Sequence, residues 1–381
     1  MFVVSLDSML NIAFPAIATA FSLPADAMRW LIMCYVLVYS LVSFAGGALA
    51  DRIGHAIVFS TGIAVTGASF VLAASAPGFG WLLGARVLQG VGGGMIYGTA
   101  PGIITLAAAP SARGRALGFL NAAIGVAFAI GPIAAGALIE SFGWRAVFAA
   151  RVPVALVALL WAWRALPRVA PATAYRGVNV ADLARPSVLH PCALAFLANA
   201  GIFAVWLLAP FYLVQERGYD AVVGGIFFML TPLGTGVAAP LAGRLVDRLG
   251  TRLPSVVGLA LEAAGLLLLS TATKNTPAIV VAGGLFAAGI GVGVFQVPNM
   301  ASVMTRFPAG QQGAAGGLSF MARTLGVVSG VAALSQVFAS LRARGFETAF
   351  TAAFVVAGGA VAIAAALACL PVAEETDSPR R

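Results

Sequence analysis

The sequence GALADRIG occupies residues 47–54, and a second version of it, GRLVDRLG, occupies residues 243–250. Both stretches begin and end with glycine, and both carry the pair Asp-Arg at the same two positions. The whole chain is 61% hydrophobic and 9% charged, whereas soluble domains average roughly 25% charged residues. A charged phrase that occurs twice in so apolar a chain indicates a duplicated structural unit.

Long apolar segments flank the two Asp-Arg stretches and make up most of the chain. Segments such as 28–50, 55–76 and 346–370 carry almost no charge, and about 20 apolar residues suffice to cross a hydrocarbon core of about 30 Å. The alternating segments of about 10 residues that are typical of a membrane β-barrel are not apparent. We therefore predict an all-α polytopic membrane protein with twelve transmembrane helices. The predicted spans are 1–22, 28–50, 55–76, 80–106, 114–139, 145–165, 190–215, 221–243, 253–272, 277–304, 313–340 and 346–370.

The longest connection, residues 166–189, is rich in Pro and Arg and divides the predicted helices into six and six. We predict an N-terminal six-helix bundle (1–165), a cytoplasmic linker (166–189), a C-terminal six-helix bundle (190–370) and a disordered cytoplasmic tail (371–381). GGGMIYGTAP ends at Pro101 and GIGVGVFQVP ends at Pro298, an offset of 197 (298 minus 101), against 196 (243 minus 47) for the Asp-Arg phrase. Two parallel six-helix repeats are the known layout of one large transporter class. Chance similarity between glycine-rich helices is the alternative.

The positions of the basic residues predict the orientation in the membrane. With the N-terminus inside, the inner loops and tail hold thirteen arginines and the outer loops hold six basic residues. Cytoplasmic loops are enriched in Lys and Arg, so we expect both termini in the cytoplasm and a location in a cell membrane, the bacterial inner membrane. The inner set is Arg52, Arg113, Arg115, Arg164, Arg168, Arg176, Arg185, Arg244, Arg248, Arg252, Arg306, Arg380 and Arg381, and the outer set is Arg29, Arg145, Arg217, Lys274, Arg342 and Arg344.

Two further features bear on the class of protein. The basic loops account for the net charge of +9, so we expect the lipid bilayer and not nucleic acid as the partner. The first apolar stretch begins at Met1 without the positive region of a signal peptide, and we expect that a short cytoplasmic leader is missing ahead of it. The three cysteines, Cys34, Cys192 and Cys369, fit neither a metal site nor a disulfide framework.

Four motifs resemble those of the major facilitator superfamily, and together the resemblance covers essentially the whole chain. GGALADRIGHAIVF resembles the superfamily's loop between its second and third helices, with His55 and Ala56 in place of a basic pair. LLGARVLQGVGGG is similar to its fourth-helix Arg-x-x-Gln-Gly-x-Gly motif. LDSMLNIAFPAI and GFLNAAIGVAFAIGPIAAG resemble first-helix and fifth-helix motifs of the drug:proton antiporter families, although Ala127 and Ala135 replace expected glycines. The larger antiporter subgroup usually has fourteen spans.

The resemblance implies that the repeated phrases form a latch on the cytoplasmic side. An Asp at a helix end can attract the N-terminus of a neighbouring helix or an Arg of the opposite half. Gly47 allows helices to approach closely, and Gly54 permits a tight turn. Simple marking of topology by Arg52 is the alternative. The predicted latch comprises Gly47, Asp51, Arg52, Gly54, Asp247 and Arg248.

The first and fourth helices carry the predicted site for proton and substrate coupling, which comprises Asp7, Asn11, Arg86 and Gln89. Burying the Asp7 charge costs roughly 2.5–3.5 kcal/mol on insertion scales, and a carboxyl group in such a setting can carry a proton. Asn11 shares its face, and Arg86 is the natural partner because arginine remains charged in proteins. The alternatives are an Asp7 that reaches the membrane surface and an Arg86 that is satisfied by water or lipid headgroups.

The remaining candidates lie in the fifth helix and in the second half. We expect Gly118, Gly131, Pro132 and Gly136 to pack closely against the other half, with a kink at the proline. Arg323 and Glu262 form a possible polar site in the second half, with the direct role of Glu262 less favoured because the ninth helix is peripheral. Four polar residues could line a cavity or merely hold helices together: Asn121, Asn199, Gln296 and Asn299.

These features favour a monomeric secondary transporter that exports small amphipathic or cationic compounds in exchange for protons. A proton-coupled importer and a metabolite exporter are alternatives with the same fold. A membrane-embedded enzyme would need a cluster of catalytic groups, which the sequence lacks, and a non-transporting sensor is a third class. We expect no metal and no cofactor, and the absence of a Gly-x4-Gly-Lys-Ser/Thr loop argues against ATP as the driver.

Overall fold

The structure is a computed structural model, and it describes residues 1–23, 25–166 and 178–370. The side chains at positions 11, 25, 26, 29, 180, 221 and 222 lie outside this description, so the predicted contribution of the Asn11 side chain lies outside it as well. The same is true of residues 167–177, which belong to the predicted linker, and of the predicted tail 371–381. Arg168, Arg176, Arg380 and Arg381 fall in these two segments.

The described residues form helices and connecting turns, without a strand in these ranges. The first helix, α1, has three pieces, Phe2–Ser5, Leu6–Ser8 and Met9–Ala20. The next five are α2 (Arg29–Ile53), α3 (His55–Ala74), α4 (Phe79–Ala107), α5 (Arg113–Phe142) and α6 (Arg145–Ala149 continued by Arg151–Ala165). The last six are α7 (Pro186–Phe211, extended by a π-helical turn Tyr212–Glu216), α8 (Ala221–Leu249), α9 (Arg252–Ser270), α10 (Ala278–Thr305), α11 (Gln312–Leu341) and α12 (Phe346–Ala368).

Ten of these helices are long and apolar enough to cross a membrane, and the bent α1 brings the number to eleven. The pieces of α1 meet at 68°, and the middle piece, a 3-10 turn, carries Asp7. The α4 helix completes the twelve. It has 29 residues, but its glycines together with Arg86 and Gln89 lower its hydropathy. Its polar side chains face other helices and not lipid, since both are buried. The predicted all-α membrane architecture is confirmed.

The C-terminal ends of two helices, α2 and α8, differ from the prediction in a way that matters for the site. The α2 helix continues to Ile53 and α8 continues to Leu249, so both Asp-Arg pairs lie in a last helical turn and not in a loop. The turns follow at glycines with positive φ, Gly54 at 108° and Gly250 at 75°, a conformation that glycine adopts without steric cost. The α7 helix begins at Pro186, so the last four residues of the predicted linker are helical.

Three groups of buried apolar side chains hold the helices together. One lies within residues 194–368 and joins α7, α9, α10 and α12. A second lies within residues 3–155 and joins helices of the first half. The third contains residues of both halves, such as Tyr97 and Leu117 beside Met300 and Phe320. Between the halves, α2 lies along α11 and α5 lies along α8. The end of the bundle at which α2 and α8 end is called the Asp51 end below.

Candidate functional site

The Asp7 carboxylate is the centre of a charged cluster inside the first half. The Arg86 guanidinium binds it with two nitrogens, Nη1 to Oδ1 at 2.7 Å and Nη2 to Oδ2 at 2.8 Å. The Gln89 amide donates to Oδ1 at 3.0 Å, and its carbonyl oxygen accepts from Arg86 Nη1 at 2.6 Å. Arg86 Nε donates to the Leu31 carbonyl oxygen at 3.0 Å. This two-nitrogen geometry is the strongest form of the Arg–carboxylate pair. The structure therefore brings together Asp7, Arg86 and Gln89 of the predicted site.

A second arginine, Arg151 of α6, contacts the same carboxylate and does not belong to the predicted site. Its Nη1 lies 3.0 Å from Asp7 Oδ1, and its side chain is 1% exposed. Phe70 and Phe148 lie against the guanidinium, with ring centroids at 5.3 and 5.5 Å. In the sequence, Arg151 is distinguished only as a charged residue near the start of a predicted membrane span. Because two arginines share one carboxylate, the cluster carries a net charge of about +1 with Asp7 ionised.

At the Asp51 end, residues of the predicted latch form a contact between α2 and α11, which we call the Asp51 interface. The Asp51 carboxylate is buried and accepts hydrogen bonds from two backbone amides at the start of α11, Gly313 N at 2.7 Å and Ala314 N at 2.8 Å. The first amides of a helix have no partner within it and carry partial positive charge. Asp51 satisfies two of them across the boundary between the halves. Gly47 lies one turn earlier against Gly313.

The second phrase makes the equivalent contact between α8 and α5, which we call the Asp247 interface. Asp247 Oδ1 accepts from Gly114 N at 2.8 Å and Oδ2 accepts from Arg115 N at 3.0 Å. Gly243 packs against the Gly114 backbone, as Gly47 does against Gly313. Each phrase therefore supplies a glycine for close approach and, four residues later, a carboxylate for a helix N-terminus of the opposite half. Chance similarity does not explain two matching contacts.

The basic members of the two phrases take no part in these contacts among the described residues. Arg52 and Arg248 are exposed, so marking of topology stays a prediction for them. His55, which replaces a basic residue of the superfamily motif, is largely buried beside Asp51. Its Nε2 lies 3.2 Å from Asp51 Oδ1, and its side chain is 13% exposed. It packs so close to α4 that a methyl on Gly102 would lie 2.8 Å from the ring nitrogen.

The glycines of α5 divide into three environments. A methyl group on Gly118 would lie 2.7 Å from the Ala239 carbonyl oxygen of α8, which agrees with the predicted packing against the other half. Gly131 instead meets Ser8 of α1, within its own half. Gly136 has open space beside it, so its predicted close packing is wrong, because position 136 faces away from the neighbouring helices whereas the adjacent Ala135 is 0% exposed. Pro132 lies inside the helix Arg113–Phe142, which continues through it.

The two second-half candidates occupy different places. Arg323 of α11 donates to Gln296 Oε1 of α10, within its own half, at 2.8 Å, and to Asn121 Oδ1 of α5, across the boundary between the halves, at 3.5 Å. Glu262 of α9 is 0% exposed, and its two carboxyl oxygens have no hydrogen-bond partner among the described residues. It packs against α10, because a methyl on Gly291 would lie 2.3 Å from the Glu262 backbone nitrogen. The predicted joint site of these two residues is therefore not formed.

The other polar candidates make local contacts. The Asn299 amide donates to the Pro191 carbonyl oxygen at 2.8 Å and joins α10 to α7. The Asn199 amide donates to Ala195 of its own helix at 2.8 Å. His190 Nε2 lies 3.0 Å from the Leu367 carbonyl oxygen of α12. These residues act as connections between or within helices, and only Asn121 and Gln296 of the four predicted polar residues meet a charged side chain.

Comparison with known proteins agrees with this architecture. The sequence profile of the Major Facilitator Superfamily matches residues 1–331 and, a second time, residues 192–381. The riboflavin transporter RibZ of Clostridioides difficile is 24% identical over 93% of this chain and 90% of its own length. The puromycin resistance protein pur8 of Streptomyces alboniger is 29% identical over 95% of this chain and 85% of its own.

A solved structure shares the fold. The human organic anion transporter MFSD10 superposes with a TM-score of 0.76 and covers 96% of each chain, at 18% identity. Helix order, contacts between the halves and the profile match lead to one conclusion. The chain belongs to the Major Facilitator Superfamily, and it is a membrane transporter for small molecules and not an enzyme.

Proposed function

We propose that this transporter exports small amphipathic, drug-like compounds in exchange for protons, by alternating access between its two halves. The observation that carries the proposal is the Asp7 carboxylate shared by Arg86 and Arg151 inside the first half. The Asp7 side chain remains 15% exposed, so a proton can reach it. Placing a carboxylate inside a membrane helix costs free energy, so a carboxylate that is kept there and that a proton can reach is a candidate for a functional role.

The cluster has two arrangements with different charge. With Asp7 ionised, its carboxylate holds both guanidinium groups, and the cluster carries about +1. Addition of a proton to Asp7 neutralises the carboxylate and leaves two positive charges that repel each other. Since the two guanidinium groups belong to α4 and α6 and the carboxyl group belongs to α1, we expect the packing of these three helices to change when the proton arrives. A proton can thereby bias the equilibrium between two states of the transporter, which is what coupling requires.

The Asp51 and Asp247 interfaces supply the other part of the proposed mechanism. Together they close the Asp51 end, because each joins one helix of the first half to one of the second. Opening that end must break four hydrogen bonds to carboxylates. In the proposed cycle the substrate site faces the Asp51 end when they are broken and the opposite end when they are formed.

We extend the proposal to the domain boundaries, the oligomeric state and the cellular location of the protein. The halves are residues 1–165 and 190–370, the protein acts as a monomer in the bacterial inner membrane, and both termini lie in the cytoplasm. Similarity to a puromycin resistance protein supports a drug-like substrate. Similarity to a riboflavin transporter supports a metabolite transporter as the second candidate.

Proteoliposomes with an imposed pH gradient test the proposal, with puromycin and riboflavin as separate substrates. We expect the parent protein to accumulate one of them uphill when the lumen is acidic. The Asp7→Asn variant should lose uphill accumulation and keep downhill exchange. Removal of one partner of a buried ion pair can cost roughly 3–5 kcal/mol, so the double variant Asp7→Asn/Arg151→Gln is included to reduce the unpaired charge.

The matched control is Glu140→Gln, which removes an exposed carboxyl group from α5 and should accumulate substrate as the parent does. Uphill accumulation that survives in folded Asp7→Asn protein would place the proton site elsewhere. Transport that ignores the pH gradient in the parent would remove proton coupling from the proposal.

A further inference from the structure

A continuous series of aromatic rings connects the charged cluster of the first half with Arg323 of the second. Each ring lies within contact distance of the next, and a guanidinium stacks at each end. The series runs from Arg86 to Tyr35 (4.2 Å), from Tyr35 to Tyr39 (5.0 Å), from Tyr39 to Tyr97 (5.4 Å), from Tyr97 to Phe320 (4.8 Å) and from Phe320 to Arg323 (4.9 Å). The step between Tyr97 and Phe320 crosses the boundary between the halves. We call these four rings the aromatic series.

The polar atoms beside the aromatic series come from both halves as well. The Tyr97 hydroxyl lies 3.0 Å from Ser5 Oγ, and the Tyr39 hydroxyl accepts from Thr324 Oγ1 at 3.3 Å. Tyr39 and Arg323 lie near the middle of their helices, yet both are only half-buried. Both side chains therefore keep part of their surface accessible, whereas the other rings of the aromatic series are buried.

The charge of this region is positive. Arg86 and Arg151 share the single carboxylate of Asp7. Arg323 stacks on Phe320 and donates hydrogen bonds to the neutral amides of Gln296 and Asn121, and no carboxylate within the described parts of the chain forms an ion pair with it. A guanidinium stays ionised in proteins, and a charge inside a membrane protein usually has a partner or marks a substrate pathway.

Glu262 is the other carboxyl group in the middle of a described helix, and it does not neutralise the charge of Arg323. Its oxygens contact no donor among the described residues, and its helix α9 packs against α10 and α12. Two positive charges in excess therefore lie at the two ends of the aromatic series, one in the Asp7 cluster and one on Arg323. Such a site repels a cationic substrate.

We propose that the substrate site takes an aromatic organic anion, with its acidic group on Arg323 and its ring system against Tyr39, the half-buried ring of the aromatic series. This inference rests on the proposed transport function and specifies its substrate class, in place of the cationic compounds that the sequence favours. Carboxylate, sulfonate and phosphate share the relevant chemistry, because each accepts two parallel hydrogen bonds from a guanidinium. The Tyr39 ring contributes stacking, which tolerates a range of planar compounds.

Equilibrium binding to the purified full-length protein in detergent tests the inference. The probe is naphthalenesulfonate, and the matched ligands are the neutral naphthalenesulfonamide and the cationic naphthylmethylammonium. We expect the sulfonate to bind at least about tenfold more tightly than either, because a hydrogen bond to a charged group has that worth. In Arg323→Gln the sulfonate should lose most of its advantage over the other two ligands, because only the excess charge of the Asp7 cluster remains, and Arg323→Lys should retain part of the preference. The control is Arg344→Gln, which removes an exposed arginine after α11 and should retain the full preference.

Equal binding of the three ligands to the parent protein would overturn the inference. So would an undiminished sulfonate preference in Arg323→Gln protein that elutes as the parent does in size-exclusion chromatography. The measurement uses no pH gradient and no transport step. A sulfonate preference without gradient-driven transport would therefore contradict the proposed export and support the anion site. Uphill transport of puromycin without any sulfonate preference would support the proposed export and contradict the anion site.

Discussion

Gly47 and Gly313 lie so close that a methyl group on Gly47 would stand 2.0 Å from the Gly313 carbonyl oxygen. No side-chain rotation can relieve this contact, because both partners are backbone. Gly47→Ala should therefore push α2 and α11 apart at the Asp51 interface, at a cost of about 1–3 kcal/mol. We expect a shift toward the state that is open at the Asp51 end and a turnover reduced by about tenfold.

A cysteine at Ser43 reports this opening, because Ser43 is 0% exposed between the two helices and bonds to Gly317. In a background without the native cysteines, Gly47→Ala should accelerate alkylation of Ser43→Cys. Gly136→Ala adds the same methyl where there is open space and should leave the rate unchanged. An unchanged alkylation rate in Gly47→Ala would show that the glycine is not needed for closure.

Asp51 and Asp247 should make similar and independent contributions to closure. Each carboxylate accepts from two amides at a helix N-terminus, and the charge on such a contact is worth about 0.3–2 kcal/mol. We expect Asp51→Asn and Asp247→Asn each to raise the open population, and the double variant to show the sum of the two free-energy changes.

Spin labels at the exposed positions Arg52 and Arg306, one in each half, measure the two populations as a distance distribution. Asp220→Asn is the matched control, because Asp220 caps α8 within its own half by accepting from Val223 N at 2.8 Å. That variant should not alter the distribution. A double variant no more open than either single one would mean that the two interfaces do not act separately.

The two arginines of the Asp7 cluster should respond differently to lysine. Arg86 uses two nitrogens on the Asp7 carboxylate and a third on the Leu31 carbonyl, whereas Arg151 uses one. A lysine keeps the charge but cannot form the two-nitrogen pair. Arg86→Lys should therefore reduce gradient-driven transport by about tenfold more than Arg151→Lys, a difference of about 1.4 kcal/mol. Proteoliposome transport rates at equal protein level measure both, and equal losses would mean that the paired geometry is immaterial.

Glu262 should be replaceable. A buried polar group without a partner costs about 1–3 kcal/mol, and an apolar side chain of similar size removes that cost. Glu262→Met should therefore raise the free energy of unfolding by about that amount, whereas Glu262→Gln, which remains polar, should not. Denaturant titration in detergent measures the change, and transport should persist. Loss of uphill transport in the more stable Glu262→Met protein would instead make Glu262 the proton carrier.

The orientation predicted from the arginines can be tested at two exposed positions. With the native cysteines removed, Arg248→Cys at the Asp51 end should resist an impermeant thiol reagent applied to intact cells, because cytoplasmic loops hold the excess of arginine. Arg344→Cys, at the other end, should react. Both side chains are exposed, so burial cannot protect either one. The reverse pattern would place the Asp51 end outside.

The sequence was sufficient for the helices, because apolar length is a local property, and it suggested the pairing of Asp7 with Arg86 because a buried arginine remains charged and few buried carboxyl groups are available to it. It could not select the partner of Asp51. That carboxylate binds amides 262 and 263 residues away, and only the packing of the halves decides which helix N-terminus it meets. The contact of Arg151 with Asp7 was not predicted, because a charged side chain near the start of a membrane span usually reaches the membrane surface. Gly136 was misjudged because a motif position does not reveal how a helix is rotated.

The separation between Asp51 and its partners also has a consequence for biosynthesis. The Asp247 interface can form once α8 leaves the ribosome, because its partners lie only 133 and 132 residues back. Asp51 and Gly47 must wait for α11, which is the eleventh helix to enter the bilayer. During that interval α2 exposes a glycine face and a carboxylate to lipid or to the insertion machinery. A truncation of the chain before residue 312 would leave that surface permanently open, and cellular quality control could recognise an incomplete transporter by it.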